Sequence, residues 1–409
     1  MTRSDIGATL LDHCVKGMPG GIAPFALDDI GRQGWNLLRE DLPLPLAVLK
    51  ESALAHNGRW MQAFLARSGA VIAPHGKTTM SPQLFKRQIA DGAWAITVAT
   101  AHQIQVAREF GFSRILLANQ LVGRQAIRYV LEELRRDSDF EFYCLIDSVE
   151  NARQLFEQAK AAGLDRPLQL LLEGGFAGGR TGCRSVEAAL EVARTVKGCA
   201  PFLALRGVEG FEGLAHGATP EEGEREALAF LDLLVEIARA CEAERLFAPG
   251  PIILTAGGSR YYDLVVARFG EAGLRRETQV VTRSGCYLTH DSVLYRQAFE
   301  RLEERTPEVG ALGTGLLPAL EVWAYVQSRP EPTKALLTMG KRDISSDDLP
   351  VALAWARPGA KRPSTMPPGH VVTGLNDQHC HMTLPADSPL AVGDMVAFGI
   401  SHPCLTFDK

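Results

Sequence analysis

The chain has 409 residues, 46% of them hydrophobic and 22% charged, which describes a soluble globular protein too long for one ordinary core. Its formal net charge of −5 offers no basic field for phosphates and argues against a nucleic-acid partner. No run of about 18 apolar residues argues for a membrane span, and "MTRSDIGATLLDHC" has no apolar segment of signal-peptide length, so a cytoplasmic protein is expected.

Residues 1–45 show no repeating unit and are expected to pack with a second domain. From residue 46 to 289 one rhythm holds: short apolar runs alternate with longer stretches of helical spacing and mixed charge. The runs are "GAVIAP" (69–74), "AWAITVA" (93–99), "RILLANQ" (114–120), "FYCLIDS" (142–148), "LQLLLEG" (168–174), "LALRGVEG" (203–210), "IILTAGG" (252–258) and "TQVVTRSG" (278–285). A helix is predicted over 220–242, opening on Pro-Glu-Glu-Gly, acidic residues suited to a helix N-terminus. Eight strands buried on both faces, each followed by a helix, predict a (β/α)8 barrel. An open doubly wound sheet is the alternative, but no Gly-x-Gly-x-x-Gly turn follows the first strand. Beyond residue 290 the rhythm gives way to short alternating runs such as "HVVTG", "HCHMTLP" and "DMVAFGI", so residues 290–409 are predicted to form a C-terminal β domain. The eight cysteines, from Cys14 to Cys404, have no repeating spacing and read as reduced thiols, mostly in the core.

In such a barrel, chemistry gathers where strands end and loops begin. His75 and Lys77 follow strand one, in "VIAPHGKTTM", and Arg180 lies in the glycine-rich loop after strand five. Glu212 and His216 follow strand six, near the expected pocket mouth. Gly257, Gly258 and Ser259 follow strand seven, and Gly285, Cys286 and Tyr287 follow strand eight. Glycine turns at these last two strand ends are where barrels commonly bind phosphate through bare backbone N–H groups. A lysine after strand one, facing a phosphate site, points to pyridoxal 5'-phosphate held by Lys77. Asp147, at the end of strand four, reads as a structural carboxylate.

"PHGKTTMSPQLF" resembles the lysine motif Pro-His-x-Lys-Thr of the D-serine dehydratase and D-threonine aldolase family, whose barrel is like that of alanine racemase. "TAGGSRYYD" and "SGCYLTHDS" are similar to its two phosphate loops, and "NDQHCHMTL" to its Asp-Glu-His region, with Gln378 in place of the usual glutamate. "GDMVAFGISHPCLTFDK" resembles the family's C-terminal metal segment. The resemblance implies pyridoxal phosphate on Lys77, a divalent metal on His402 and Cys404, and a D-amino acid substrate with a β-hydroxyl group. It leaves His379 as an active-site residue of unassigned role, and a homodimer is expected by analogy.

Thiolate plus imidazole suits zinc, whereas an oxygen ligand in place of Cys404 would suit manganese or magnesium. In this family His-x-Cys accompanies dehydration and His-x-Asp accompanies retro-aldol cleavage, so Cys404 tilts the expectation toward a dehydratase yielding a 2-oxo acid and ammonia. Lys77 is the expected base, and Arg180 the expected neighbour of the cofactor ring. His75 is placed on the cofactor side, with Cys286 and Tyr287 serving the phosphate through their backbone. The alternatives are a D-threonine-type aldolase yielding glycine and an aldehyde, a 3-hydroxy-D-aspartate enzyme of either kind, a racemase, which would leave His-x-Cys without a purpose, and a non-catalytic pyridoxal phosphate carrier. The second domain and the metal segment count against the carrier.

Overall fold

The computed structural model describes residues 5–409; residues 1–4 of the N-terminal segment lie outside the described residues. Each of the eight apolar runs contains one parallel strand. These are β1 (Val71–Ile72), β2 (Ile96–Val98), β3 (Arg114–Gln120), β4 (Glu141–Ile146), β5 (Leu168–Glu173), β6 (Leu203–Gly210), β7 (Ile252–Ala256) and β8 (Thr278–Thr282). In the sheet β1 lies beside β8, and the other strands follow in descending order to β2. A parallel bridge between His75 and Thr97 closes the ring, with Trp94 N donating to Ile72 O (2.7 Å) and Thr97 N to Pro74 O (2.9 Å). The result is the closed barrel.

Strand residues alternate between two cores. Ile115, Leu117, Cys144, Leu170, Leu172 and Leu254 face the surrounding helices, while Leu116, Tyr143, Leu145, Leu171 and Ile253 fill the barrel interior. The helices are α1 (Glu51–Ser68), α2 (Pro82–Ala90), α3 (Ala101–Glu109), α4 (Arg124–Arg136), α5 (Val149–Ala161), α6 (Val186–Gly198), α7 (Pro220–Ala243), α8 (Tyr262–Gly270) and α9 (Leu294–Arg305). Ser81, Thr100, Ser148, Ser185 and Thr219 cap α2, α3, α5, α6 and α7, each hydroxyl accepting from a first-turn N–H. The caps of α3 and α5 start those helices two residues past their strands, whereas 9, 12 and 9 residues separate β1, β5 and β6 from α2, α6 and α7 and form the longer loops of that face.

The second unit is an antiparallel sheet of β9 (Leu320–Glu331), β10 (Lys334–Leu337), β11 (Val351–Ala356), β12 (Ser364–Thr365), β13 (Val371–Leu375), β14 (Cys380–Thr383) and β15 (Met395–Gly399). Val322, Ala324, Leu337, Met382, Val396 and Phe398 form its core. The N-terminal segment packs on this sheet: Leu37, Leu38 and Leu44 lie against Trp323 and Met395, and Lys16 Nζ meets Asp343 Oδ1 at 2.8 Å.

Two boundaries differ from the sequence expectation. Residues 46–49 form a strand that pairs with β9, Leu49 opposite Leu320 and Leu46 opposite Trp323, so they belong to the antiparallel sheet. The barrel therefore begins at α1. Its eighth helix, α9, lies past residue 289 and buries Phe299 and Leu302 with Trp60 and Tyr262. The units are also joined by Asn57, fully buried, whose Nδ2 donates to Leu288 O (2.9 Å) and Leu317 O (2.8 Å) while Oδ1 accepts from Leu317 N (2.8 Å). All eight cysteines are free thiols. Among the described residues no helix is long and apolar enough to cross a membrane.

Candidate active site

A cavity of about 310 Å³ opens over the C-terminal ends of the barrel strands and reaches the second unit. His75, Lys77, Arg180, Gly257, Gly258, Ser259, Gly285, Cys286, His402 and Cys404 all line it. Lys77 sits in a single tight turn, Gly76–Thr78, immediately after β1. His75 Nδ1 is buried with no partner, and burial, with Arg283 and Lys77 adding to it, holds the imidazole well below its ordinary range. The ring is therefore neutral. A Cβ on Gly285 would sit 2.4 Å from Thr78 Oγ1 and 2.7 Å from His75, so only glycine lets β8's loop approach the Lys77 turn this closely.

Sequence reasoning missed a buried charge pair in the wall. Arg283 and Glu209 are each 1% exposed, and Arg283 Nη2 contacts Glu209 Oε1 and donates to Gly210 O at 2.9 Å. Arg283 Nε and Nη1 and Glu209 Oε2 have no partner. Burial pushes the Glu209 carboxyl up to about 7 against the pull of Arg283. The signal was present in "TRSG", a charge at the end of a buried run. Arg180, by contrast, is exposed at the cavity wall, its guanidinium 4.5 Å over the Phe211 ring.

Several expected placements are corrected. The amides of Gly257 and Gly258 are not bare: Glu212, fully buried, accepts from them at 3.0 and 2.7 Å. Glu212 thus has a role the sequence did not show, stiffening the turn after β7. Ser259 Oγ instead faces Ser284 Oγ at 2.8 Å on the cavity side. The Tyr287 side chain turns away and is buried among Leu54, Trp60 and Leu84, with a hydrogen bond to Gln88. His379 is exposed, in the turn between β13 and β14, and does not line the cavity. His216 lies in a neighbouring groove with Arg301 and Gln297. Asp147 Oδ2 accepts from Gly182 N at 2.9 Å and braces the loop after β5, a structural carboxylate.

The Cys286 side chain is likewise not directed at a phosphate site. Its Sγ lies 3.8 Å from Cys404 Sγ, and ligand atoms of Cys286, His402 and Cys404 all lie within 4.8 Å of one another. Cys286 follows β8 of the barrel, whereas His402 and Cys404 follow β15 of the antiparallel sheet. Cys404 Sγ also meets Thr78 Oγ1 at 3.5 Å, next to Lys77. The hydrogen bond from Cys286, and then that from His402, pulls the Cys404 thiol down to about 4, and the same contact pushes Cys286 up. His402 Nδ1 pairs with Asp347 Oδ2 at 2.7 Å, which leaves Nε2 as the free ligand atom. Its backbone N–H donates to Ser345 Oγ at 3.1 Å. An oriented imidazole beside a thiolate at a cavity wall is a donor set for a soft or borderline divalent metal.

A closed barrel with a lysine after its first strand, joined to an antiparallel sheet, defines an alanine-racemase-like architecture. Residues 49–272 match the alanine racemase N-terminal domain model, and the chain belongs to that family. Residues 319–409 match the putative serine dehydratase domain. Among similar proteins, a D-threonine aldolase of Arthrobacter sp. is 24% identical over 366 residues, covering 88% of this chain and 84% of that protein. The crystal structure of D-threonine aldolase from Filomicrobium marinum superposes with a TM-score of 0.71 at 22% identity, covering 90% of each chain. D-threo-3-hydroxyaspartate dehydratase from Delftia sp. HT23 gives 0.67 at 21% identity, covering 90% of this chain and 92% of that one.

Proposed function

We propose that this chain is a lyase, dependent on pyridoxal phosphate and a divalent metal, that dehydrates β-hydroxy D-amino acids to a 2-oxo acid and ammonia. The observation that carries the reading is that Lys77 and the thiolate–imidazole pair of Cys404 and His402 open into one cavity. The residues present fit the cofactor. Lys77 offers the amine, Gly285 the close approach, and Ser259, Arg260 and the Gly285 backbone the phosphate end, while Glu212 keeps the amides of Gly257 and Gly258. Arg283, with two buried unpartnered donors, takes the ring-neighbour role expected of Arg180. When bound, pyridoxal phosphate supplies the electron sink for the carbon bearing the amine.

Lys77 would hold the cofactor through its side-chain amine, and that amine, lining the same cavity, would be placed to take the α-proton. Arg283, a guanidinium with N–H donors and no acceptor, would meet the cofactor ring as a donor only. Neutral His75 lines the cavity in which the cofactor would be held and adds no charge there. His402 and Cys404 would hold the metal, with Asp347 orienting the imidazole, and a metal held there would supply Lewis-acid polarisation of the substrate's β-hydroxyl. The three named relatives, two D-threonine aldolases and a D-threo-3-hydroxyaspartate dehydratase, carry the names of β-hydroxy D-amino acid substrates, and the sulfur ligand favours dehydration between the two reactions.

The test is product analysis with purified protein, pyridoxal phosphate and zinc on D-threonine and D-allo-threonine. Ammonia with 2-oxobutanoate is expected. Glycine with acetaldehyde would instead establish the aldolase reading, which the 24% identity to D-threonine aldolase favours.

A further inference from the structure

We infer that Cys286 is a third protein ligand, so that the metal site is built from two thiolates and one imidazole and selects zinc. This rests on the metal reading above and adds to it a residue from the barrel itself.

The geometry carries the inference. A tetrahedral metal with bonds of about 2.3 Å to sulfur holds two sulfurs about 3.8 Å apart. Cys286 Sγ and Cys404 Sγ are 3.8 Å apart, and the His402 ligand atom lies within 4.8 Å of both. The separation is far from the ~2.05 Å of a disulfide, so the two sulfurs are neighbours without being bonded.

The placement of Cys286 is fixed. Its N–H lies 3.4 Å from Ser259 Oγ, and its carbonyl accepts from His290 N at 2.7 Å. Cys144 and Cys241, by comparison, are buried in the core between strands and helices. Cys286 faces a polar cavity and two other ligand groups. A cysteine acting as a small core hydrophobe has no reason to meet a second thiol there.

Three consequences follow from the donor set. Two thiolates disfavour magnesium and manganese, which prefer oxygen. Three protein ligands leave one position on a tetrahedral zinc, enough for the substrate's hydroxyl and no more. Binding releases the remaining thiol proton, because only the thiolate coordinates.

The test reads the metal rather than turnover. X-ray absorption at the zinc edge of the wild-type, zinc-loaded protein is expected to show two sulfur neighbours together with nitrogen. Cobalt(II) in the same site gives a sulfur-to-metal charge-transfer band whose intensity follows the number of sulfur ligands, so Cys286→Ser is expected to retain about half of it. One sulfur neighbour in the wild type, with an unchanged band in Cys286→Ser, would overturn the inference and leave the His402–Cys404 site standing. No sulfur neighbour at all would overturn both. The wild-type absorption measurement decides even where the variant fails to fold.

Discussion

The Glu209–Arg283 pair gives the strongest stability test. Both side chains are 1% exposed, and replacing Glu209 with leucine leaves the guanidinium with one partner, Gly210 O, and no counter-charge. Removing one member of a buried pair costs about 3–5 kcal/mol. With about 2.1 cal/mol/K of unfolding entropy per residue, a chain of 409 residues loses roughly 1 °C of Tm per kcal/mol, so Glu209→Leu is expected to melt about 3–6 °C lower. The measurement is calorimetry at pH 8, where the carboxyl of the parent is ionised. The double variant Glu209→Leu, Arg283→Leu removes both buried charges and is expected to regain most of the loss, since replacing a whole buried pair by apolar residues is close to neutral. A double variant less stable than Glu209→Leu alone would refute the account, showing that the arginine's value lies elsewhere than in its pairing.

Glu209 also sets a pH dependence. Its folded pKa of about 7 exceeds the ordinary 4.5, so the folded state holds the proton more tightly and stability falls, by up to about 3 kcal/mol, as pH rises between these values. Urea titrations across that range should show a slope that Glu209→Gln lacks. Lys77→Ala should abolish the visible absorbance gained on adding pyridoxal phosphate and lower turnover by at least about 100-fold; an unchanged spectrum removes Lys77 from the role. Asp347→Asn, which frees His402 to rotate, should weaken zinc about 10–100-fold in competition with a chromophoric chelator, with no change in melting of the metal-free protein. Asn57→Leu leaves three backbone groups unpaired and should cost several kcal/mol by denaturant titration, at about 1–3 kcal/mol each.

The barrel was legible because its strands are buried on both faces, so each reads as an apolar run bounded by loop residues. The strand at 46–49 was not, since "LAVL" is four residues long, half exposed, and paired with β9 far along the chain. Burial periodicity also tells where a residue lies more readily than where it points. Cys286 and Tyr287 are consecutive at one strand end, yet one faces the cavity and the other the helix-side core. Glu209 lies in the run "LALRGVEG", but nothing in that run shows that it turns toward Arg283 rather than the helices. Glycine pairs raised the right turn for attention and misled about its amides, because the group that occupies them, Glu212, comes from the loop after a different strand. His379 was carried by motif similarity alone, and the antiparallel hairpin that holds it leaves it in solvent.

The hydrogen bond from Lys50 N to Ala319 O, 2.8 Å long, lies where the chain leaves the antiparallel sheet and where it returns. Residues 51–319 are thus an insertion within a sheet, entering and leaving through adjacent points. Closing a loop of that length from a disordered chain costs about 5 kcal/mol of entropy, more than four residues of strand pairing readily return. Once the barrel has folded, its ends are already neighbours and that cost is gone. The folded barrel thus acts as the clasp that holds Leu46–Leu49 against β9, while the other strands of the sheet all come from residues 320–409. A lesion in the barrel is then felt twice, once in its own core and again in the pairing of Leu46–Leu49 with β9.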